Sequence, residues 1–405
     1  MALKILSRAL GLALLTLVGG RAIDAGVLAK VWELDLRNVV HGTPDASAKY
    51  LPVQLIRFSP DGQQLAVAVA WNQSREVFKS KLLILGTQRP EYAPAQIEIG
   101  AGIGNQGGAR SFGWSNDGRS LFVAGRVVDP GLGVGCELPR ATSPPFWPSF
   151  LVSSDRLIQG GPELPDAGAV RARMDALGAM LKDNKGPTPA SAIPPGPAEP
   201  RSRFTLFDLQ CSPEGIWEVP ESWQIQDVAE ERHVVAVTRS VGDGYEFLIV
   251  DPLVGKVIRR WPSSYPAIGS FSEGGRVLCS VEEEGNKGQL VCRQADDGKK
   301  VGASESINGG FPIATSARSS RIIASDHHRE RDPRSPYEYD WVLDRQVVWD
   351  YRSGSELASW RPNRQRATNT TNEQDRVPDQ FAISPDGLYV ATGGDGIVRL
   401  FKIEP

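Results

Sequence analysis

Few residues in this sequence have both the type and the spacing that catalysis needs. Its four histidines are His41, His233, His327 and His328, and only the last two are adjacent, in "SDHHRERD" beside Asp326, Glu330 and Asp332. A metal site needs ligands that converge on one point. Neighbouring residues of a strand face opposite ways, so this pair could chelate from a loop but not from a regular strand. The sequence predicts a polar loop here, following a strand. The carboxylate runs "EEE" (Glu282 to Glu284) and "DDG" (Asp296 to Gly298) carry the oxygens that calcium takes. The EF-hand spacing is absent, and both runs are expected in solvated turns. There is no Gly-x-Ser-x-Gly elbow. "GAGIGNQGG" (Gly100 to Gly108) precedes a strand pattern rather than a helix. It therefore lacks the helix N-terminus that cradles phosphate, and reads as a connection. No catalytic residue, metal ligand or cofactor is assigned from these stretches.

Aromatic residues give a different lead. Trp261 and Trp360 end strand-like runs, and Trp32 and Trp349 sit within others, as sheet packing would place them. "SPPFWPSF" (Ser143 to Phe150) is instead proline-broken. Its Phe146, Trp147 and Phe150 are expected on a surface loop and form the candidate patch for a ligand or partner. "DPRSPYEYDW" (Asp332 to Trp341) is a second such loop.

The chain opens with Lys4 and Arg8, an apolar run from Ala9 to Val18, and then small residues. That is the layout of a secretory signal peptide, expected over residues 1–25. The run is short for a membrane span, although an uncleaved anchor stays open. Export makes the cysteine count informative, since an even number in an oxidising compartment points to disulfides. Cys279 and Cys292 end two strand-like runs joined by "SVEEEGNKG". Antiparallel neighbours bring such residues within bridging reach. Cys279–Cys292 is therefore expected, which leaves Cys136–Cys211.

The elements that must position these residues follow one repeated plan. "IRFSPDGQQLAVAVA" (Ile56 to Ala70), "FGWSNDGRSLFVAG" (Phe112 to Gly125), "GSFSEGGRVLCSV" (Gly269 to Val281) and "FAISPDGLYVATGG" (Phe381 to Gly394) each join an apolar strand to an alternating one through a Ser-initiated turn. Pro presets φ, Asp tolerates the turn and Gly supplies positive φ. Weaker copies start at Asp227 and Ile313, and the least regular at Phe150. A third strand with a polar end follows each hairpin, as in "LLILGTQ" (Leu82 to Gln88) and "QVVWDYRSGSELASW" (Gln346 to Trp360). Repeated four-stranded antiparallel sheets predict an all-β fold, a single β-propeller over residues 26–405. Seven blades are expected; omitting the Phe150 copy would leave six.

The last repeat, Phe381 to Pro405, supplies only three strands. The missing fourth is expected from "VWELDL" (Val31 to Leu36), so that the start of the chain closes the ring. One stretch breaks the pattern. Residues 160–203 are rich in Pro, Gly and Ala, with helix-like spacing of Val170, Met174, Leu177 and Leu181. They read as a surface insertion between strands of one blade.

These hairpins resemble the first two strands of a WD-repeat blade, and "VVWDYRSGSELASW" resembles the third and fourth, with Trp349 and Asp350 as the dipeptide. The resemblance, to WD-repeat propellers and their exported bacterial relatives, covers nearly all of the chain after the leader except the insertion. It implies a propeller fold. The Gly-His pair that precedes family blades is missing, so the family's His-to-Asp network has no counterpart.

Hydrophobic residues at 40% and charged residues at 23% fit a folded protein, and a net charge of −3 with no basic stripe argues against nucleic acid. The leading expectation is an exported, periplasmic or extracellular, monomeric scaffold that binds a protein or small molecule, without catalysis and without a membrane span after leader removal. The alternative is a propeller enzyme, a lactonase-like hydrolase or dehydrogenase subunit, working at the central channel.

Overall fold

The computed structural model describes residues 28–40, 53–72, 78–90, 95–99, 112–123, 125–131, 133–139, 149–153, 155–162, 201–241, 244–263, 269–284, 287–304, 307, 311–331, 339–360, 380–394 and 396–404. The repeated turn shows how the sequence makes a hairpin. Ser384 Oγ donates to Asp386 Oδ1 at 2.5 Å, and the same carboxylate oxygen accepts the Leu388 N–H at 2.9 Å. Ser384 Oγ also accepts the Tyr389 N–H, while Gly387 takes the positive φ of 74°. Ser59 with Asp61 and Ser115 with Asp117 repeat these bonds. The serines are buried, so the motif closes the turn and satisfies the polar groups at once.

Among the described residues the strands form seven four-stranded antiparallel sheets. The first strand of the chain is β1 (Leu28–Asp35). Blade 1 holds β2 (Val53–Phe58), β3 (Gln64–Asn72), β4 (Phe78–Gly86) and β5 (Ala95–Glu98). Blade 2 holds β6 (Phe112–Trp114), β7 (Leu121–Val123), β8 (Arg126–Asp129) and β9 (Gly133–Glu137). Blade 3 holds β10 (Ser149–Ser153), β11 (Arg156–Pro162), β12 (Ser202–Asp208) and β13 (Pro213–Val219). Blade 4 holds β14 (Trp223–Ala229), β15 (Val234–Val241), β16 (Gly244–Asp251) and β17 (Lys256–Ser263). Blade 5 holds β18 (Gly269–Ser272), β19 (Val277–Glu284), β20 (Lys287–Gln294) and β21 (Lys300–Ala303). Blade 6 holds β22 (Phe311–Thr315), β23 (Arg321–Arg331), β24 (Tyr339–Asp350) and β25 (Ser355–Trp360). Blade 7 holds β26 (Gln380–Ile383), β27 (Tyr389–Gly394) and β28 (Ile397–Ile403), and β1 is its outer strand.

The first strand of each blade is the innermost. These strands touch one another in turn, β2 to β6 to β10 to β14 to β18 to β22 to β26 and back to β2, which closes a ring around a channel. Each apolar cluster lies between two successive blades. Strand β3 shows the logic. Its Leu65, Val67 and Val69 pack toward blade 7, and its Ala66 and Ala68 toward blade 2. Alternate side chains bury on opposite neighbours, so "LAVAVA" is apolar throughout although its period is that of a strand.

The expected clasp is present. Strand β1 pairs antiparallel with β28, from Leu28 opposite Ile403 to Asp35 opposite Ile397. Arg399 Nε bonds Glu33 Oε2 across this pair at 2.8 Å. Cys279 and Cys292 stand directly opposite on β19 and β20 and are bonded. Cys136 on β9 is bonded to Cys211, in the turn after β12, and so joins blades 2 and 3. Two disulfides suggest a chain that matures outside the reducing cytosol. No helix among the described residues is long and apolar enough to cross a membrane.

Two sequence expectations need correction. His327 and His328 are in strand β23, not in a loop, and their backbones pair in register with Leu343 and Val342 of β24. The β23–β24 ribbon runs beyond β22 and β25, and backbone pairing between its own two strands sustains it despite the polar sequence. Glu282 to Glu284 likewise end strand β19 rather than form a turn. Glu282 is held there by a two-point contact with Arg293, both distances 2.7 Å. Residues 160–162 and 202–203, at the ends of the expected insertion, are strand, and β11 pairs with β12 on either side of it. The rest of that segment and the expected leader lie outside the described residues.

Candidate functional site

Because every blade repeats the same meander from the inside out, the seven inner turns emerge at one end of the channel. A cavity of about 280 Å³ opens there. Its rim carries Asn116, Glu230, Glu231, Gly274 and Ala317, which lie in or beside the inner turns of blades 2, 4, 5 and 6. Its depth carries Arg57 on β2, Asp227 on β14, Ser270 on β18 and Thr315 on β22, with Trp114 as the aromatic wall. The volume suits a side chain or a small molecule rather than a large ligand.

Asp227 is the most connected of these groups. Its Oδ2 accepts the Phe271 N–H at 2.7 Å and the Ser270 hydroxyl at 2.9 Å, and its Oδ1 accepts the Val228 N–H at 2.9 Å. Two of these donors belong to blade 5, so one carboxylate ties blade 4 to blade 5 inside the channel. Burial pushes the Asp227 carboxyl up, and the three donors and Arg57 act against that. Burial pushes the Arg57 guanidinium down, opposed by Asp227 from the far side of the ring. Thr315 extends the network to the Phe271 carbonyl.

Glu230 sits in the short 3-10 turn after β14, and its carboxyl is pushed up to about 7. Burial is the main cause. Asp117, Glu231 and Asp155 raise it further, and the bond from the Asn116 N–H lowers it. Gly274, at φ 62°, leaves room for the Glu231 carboxylate, which any side chain there would strike. Among the described residues no three His, Cys, Asp or Glu side chains are grouped as a metal would need.

Of the expected aromatic patch, only the backbone of Phe150 is among the described residues. Phe146 and Trp147 lie outside the described residues. Phe150 is in strand β10, opposite Ile158, so its backbone belongs to the innermost strand of blade 3 and not to a loop. His328 is not among the residues that line the cavity and bonds Asp344 across the β23–β24 ribbon at 2.7 Å. Sequence reasoning missed Arg57, Asp227 and Glu230. The available signal was a lone charge near the end of an inner strand, as in "IRFSPDG" and "IQDVAEERH".

Seven radial four-stranded blades around a channel define a β-propeller. No protein-family model and no curated protein matches the sequence. Solved structures match the fold. A chain of a mitotic checkpoint complex is 12% identical, over 93% of this chain and 95% of that one, with a TM-score of 0.49. An oligogalacturonate lyase in complex with manganese is 11% identical, over 88% of this chain and 90% of that one, with a TM-score of 0.51. At these identities the likeness is one of fold.

Proposed function

We propose that this protein is an exported, non-catalytic propeller of WD-repeat type that binds a protein or small-molecule ligand at the channel mouth formed by its inner turns. The observation that carries this reading is the state of Asp227. The deepest carboxylate of the cavity is already engaged by Phe271, Ser270 and Val228. It acts as a tie between blades, which leaves the rim to vary for recognition. The two disulfides support maturation outside the reducing cytosol, in the periplasm or outside the cell; a leader over residues 1–25 and a monomeric mature chain belong to the same proposal. Affinity capture with the mature protein from its native envelope or medium tests this reading. One retained species, lost when Asn116 and Glu231 are both replaced by Ala, is the expected result. Capture of nothing by the wild type, together with a stoichiometric metal in the purified protein, would contradict it.

An enzyme at the same mouth is favoured by one observation, the half-buried Glu230 held at about 7, where a carboxyl can act as acid or base. Turnover of a lactone or ester panel that is lost in Glu230→Gln would support that second reading.

A further inference from the structure

Glu230 belongs to blade 4, yet its Oε1 accepts the backbone N–H of Asn116 in the inner turn of blade 2, at 3.0 Å. The bond passes over blade 3, and both residues line the cavity. It therefore bridges part of the mouth.

The charged groups around it come from every turn packed nearby. Blade 2 contributes Asp117, with Arg119 3.9 Å away on its exposed side. Blade 3 contributes Asp155, and the neighbouring Arg156 is paired with Glu214 at 2.7 Å. On its own turn stand Glu231, Arg232 and His233, and Arg232 is paired with Asp296 at 2.5 Å. The packed turn of blade 5 contributes Glu273, bound by Arg352 at 2.6 Å, and Arg276. Asp227 and Arg57 lie deeper in the cavity. The net field at Glu230 comes from Asp117, Glu231 and Asp155, all of one sign.

We propose that Glu230 is a proton-operated tie across the cavity mouth: neutral, it holds the inner turns of blades 2 and 4 together; ionised, it adds a charge against Asp117, Asp155 and Glu231 and loosens that side. The proposal concerns the mouth itself and stands whatever binds there. Asp117 and Asp155 do not share the transition, since hydroxyl bonds from Ser115 and Ser153 hold their carboxyls below the usual range. Their charges persist while that of Glu230 changes. The Asn116 N–H favours the ionised form, but burial and three like charges outweigh it.

Amide hydrogen exchange on the full mature chain tests the tie, with rates corrected for the intrinsic effect of pH. Protection of the Asn116 amide should fall about tenfold between about pH 6 and about pH 8 in the wild type. Glu230→Gln, which stays neutral, should keep the high protection at both values. The turn from Ser59 to Gln64 serves as the internal control and should not change. Flat or rising protection at Asn116 with pH, an equal fall in Glu230→Gln, or an equal fall in the control turn would each overturn the proposal.

Discussion

Trp32 Nε1 donates to the Thr87 carbonyl oxygen at 2.7 Å. Trp32 is on the outer strand of blade 7 and Thr87 follows the third strand of blade 1. The same residue packs on the apolar cluster between these blades. The closing strand thus holds two blades, its own through β28 and the next through this indole.

Removing that strand should therefore destabilise more than one sheet. Trp32→Ala is expected to lower stability by about 1–3 kcal/mol, since the ring is only partly buried. Trp32→Phe should lose about 1 kcal/mol, the share of the hydrogen bond. Deleting residues 26–37 should lower the melting temperature far more than either, and thermal unfolding of the three variants checks the order.

The two disulfides should differ in worth. Cys136–Cys211 spans 75 residues and Cys279–Cys292 spans 13. Chain-entropy reasoning gives about 4 kcal/mol for the longer loop and about 3 kcal/mol for the shorter. Denaturant unfolding of the paired Cys→Ser variants should show the larger loss for Cys136–Cys211, the bond that joins two blades.

Asp227→Ala should strand the Phe271 N–H and the Ser270 hydroxyl inside the channel. A loss of about 2–4 kcal/mol is expected. Asp227→Asn keeps one acceptor oxygen and should lose less. If both variants melt like the wild type, Asp227 is not a tie between blades 4 and 5.

Stability should depend on pH through Glu230 in a direction opposite to that of the paired carboxylates. Its carboxyl is raised in the folded state, so its contribution is complete below the ordinary carboxylate range and is lost as pH rises to about 7. The loss is at most about 3 kcal/mol. Glu230→Gln should thus gain on the wild type between about pH 5 and about pH 8. Glu273 behaves the other way: Arg352 lowers its carboxyl, so its contribution is present at neutral pH and fades in acid. Melting temperatures across this range, for the wild type and Glu230→Gln, check the sign.

The blades were legible because their turns are made by local chemistry. Ser384, Asp386 and Gly387 build a hairpin with each other and need no distant partner. The clasp was legible because three strands in a last repeat demand a fourth. His327 and Glu282 were misread because polar residues take strand geometry when a partner strand supplies the pairing, as β24 and Arg293 do. Arg57 and Asp227 meet only once the ring brings blades 1 and 4 to the same cavity, a relation that spacing along the chain does not express.

The most direct measurement for the binding account is hydrogen exchange of the protein with and without its captured partner. New protection should fall on the rim around Asn116, Val228 to Glu231, Gly274 and Ala317. Protection confined to outer strands such as β13 and β17, with the rim unchanged, would contradict binding at the channel mouth.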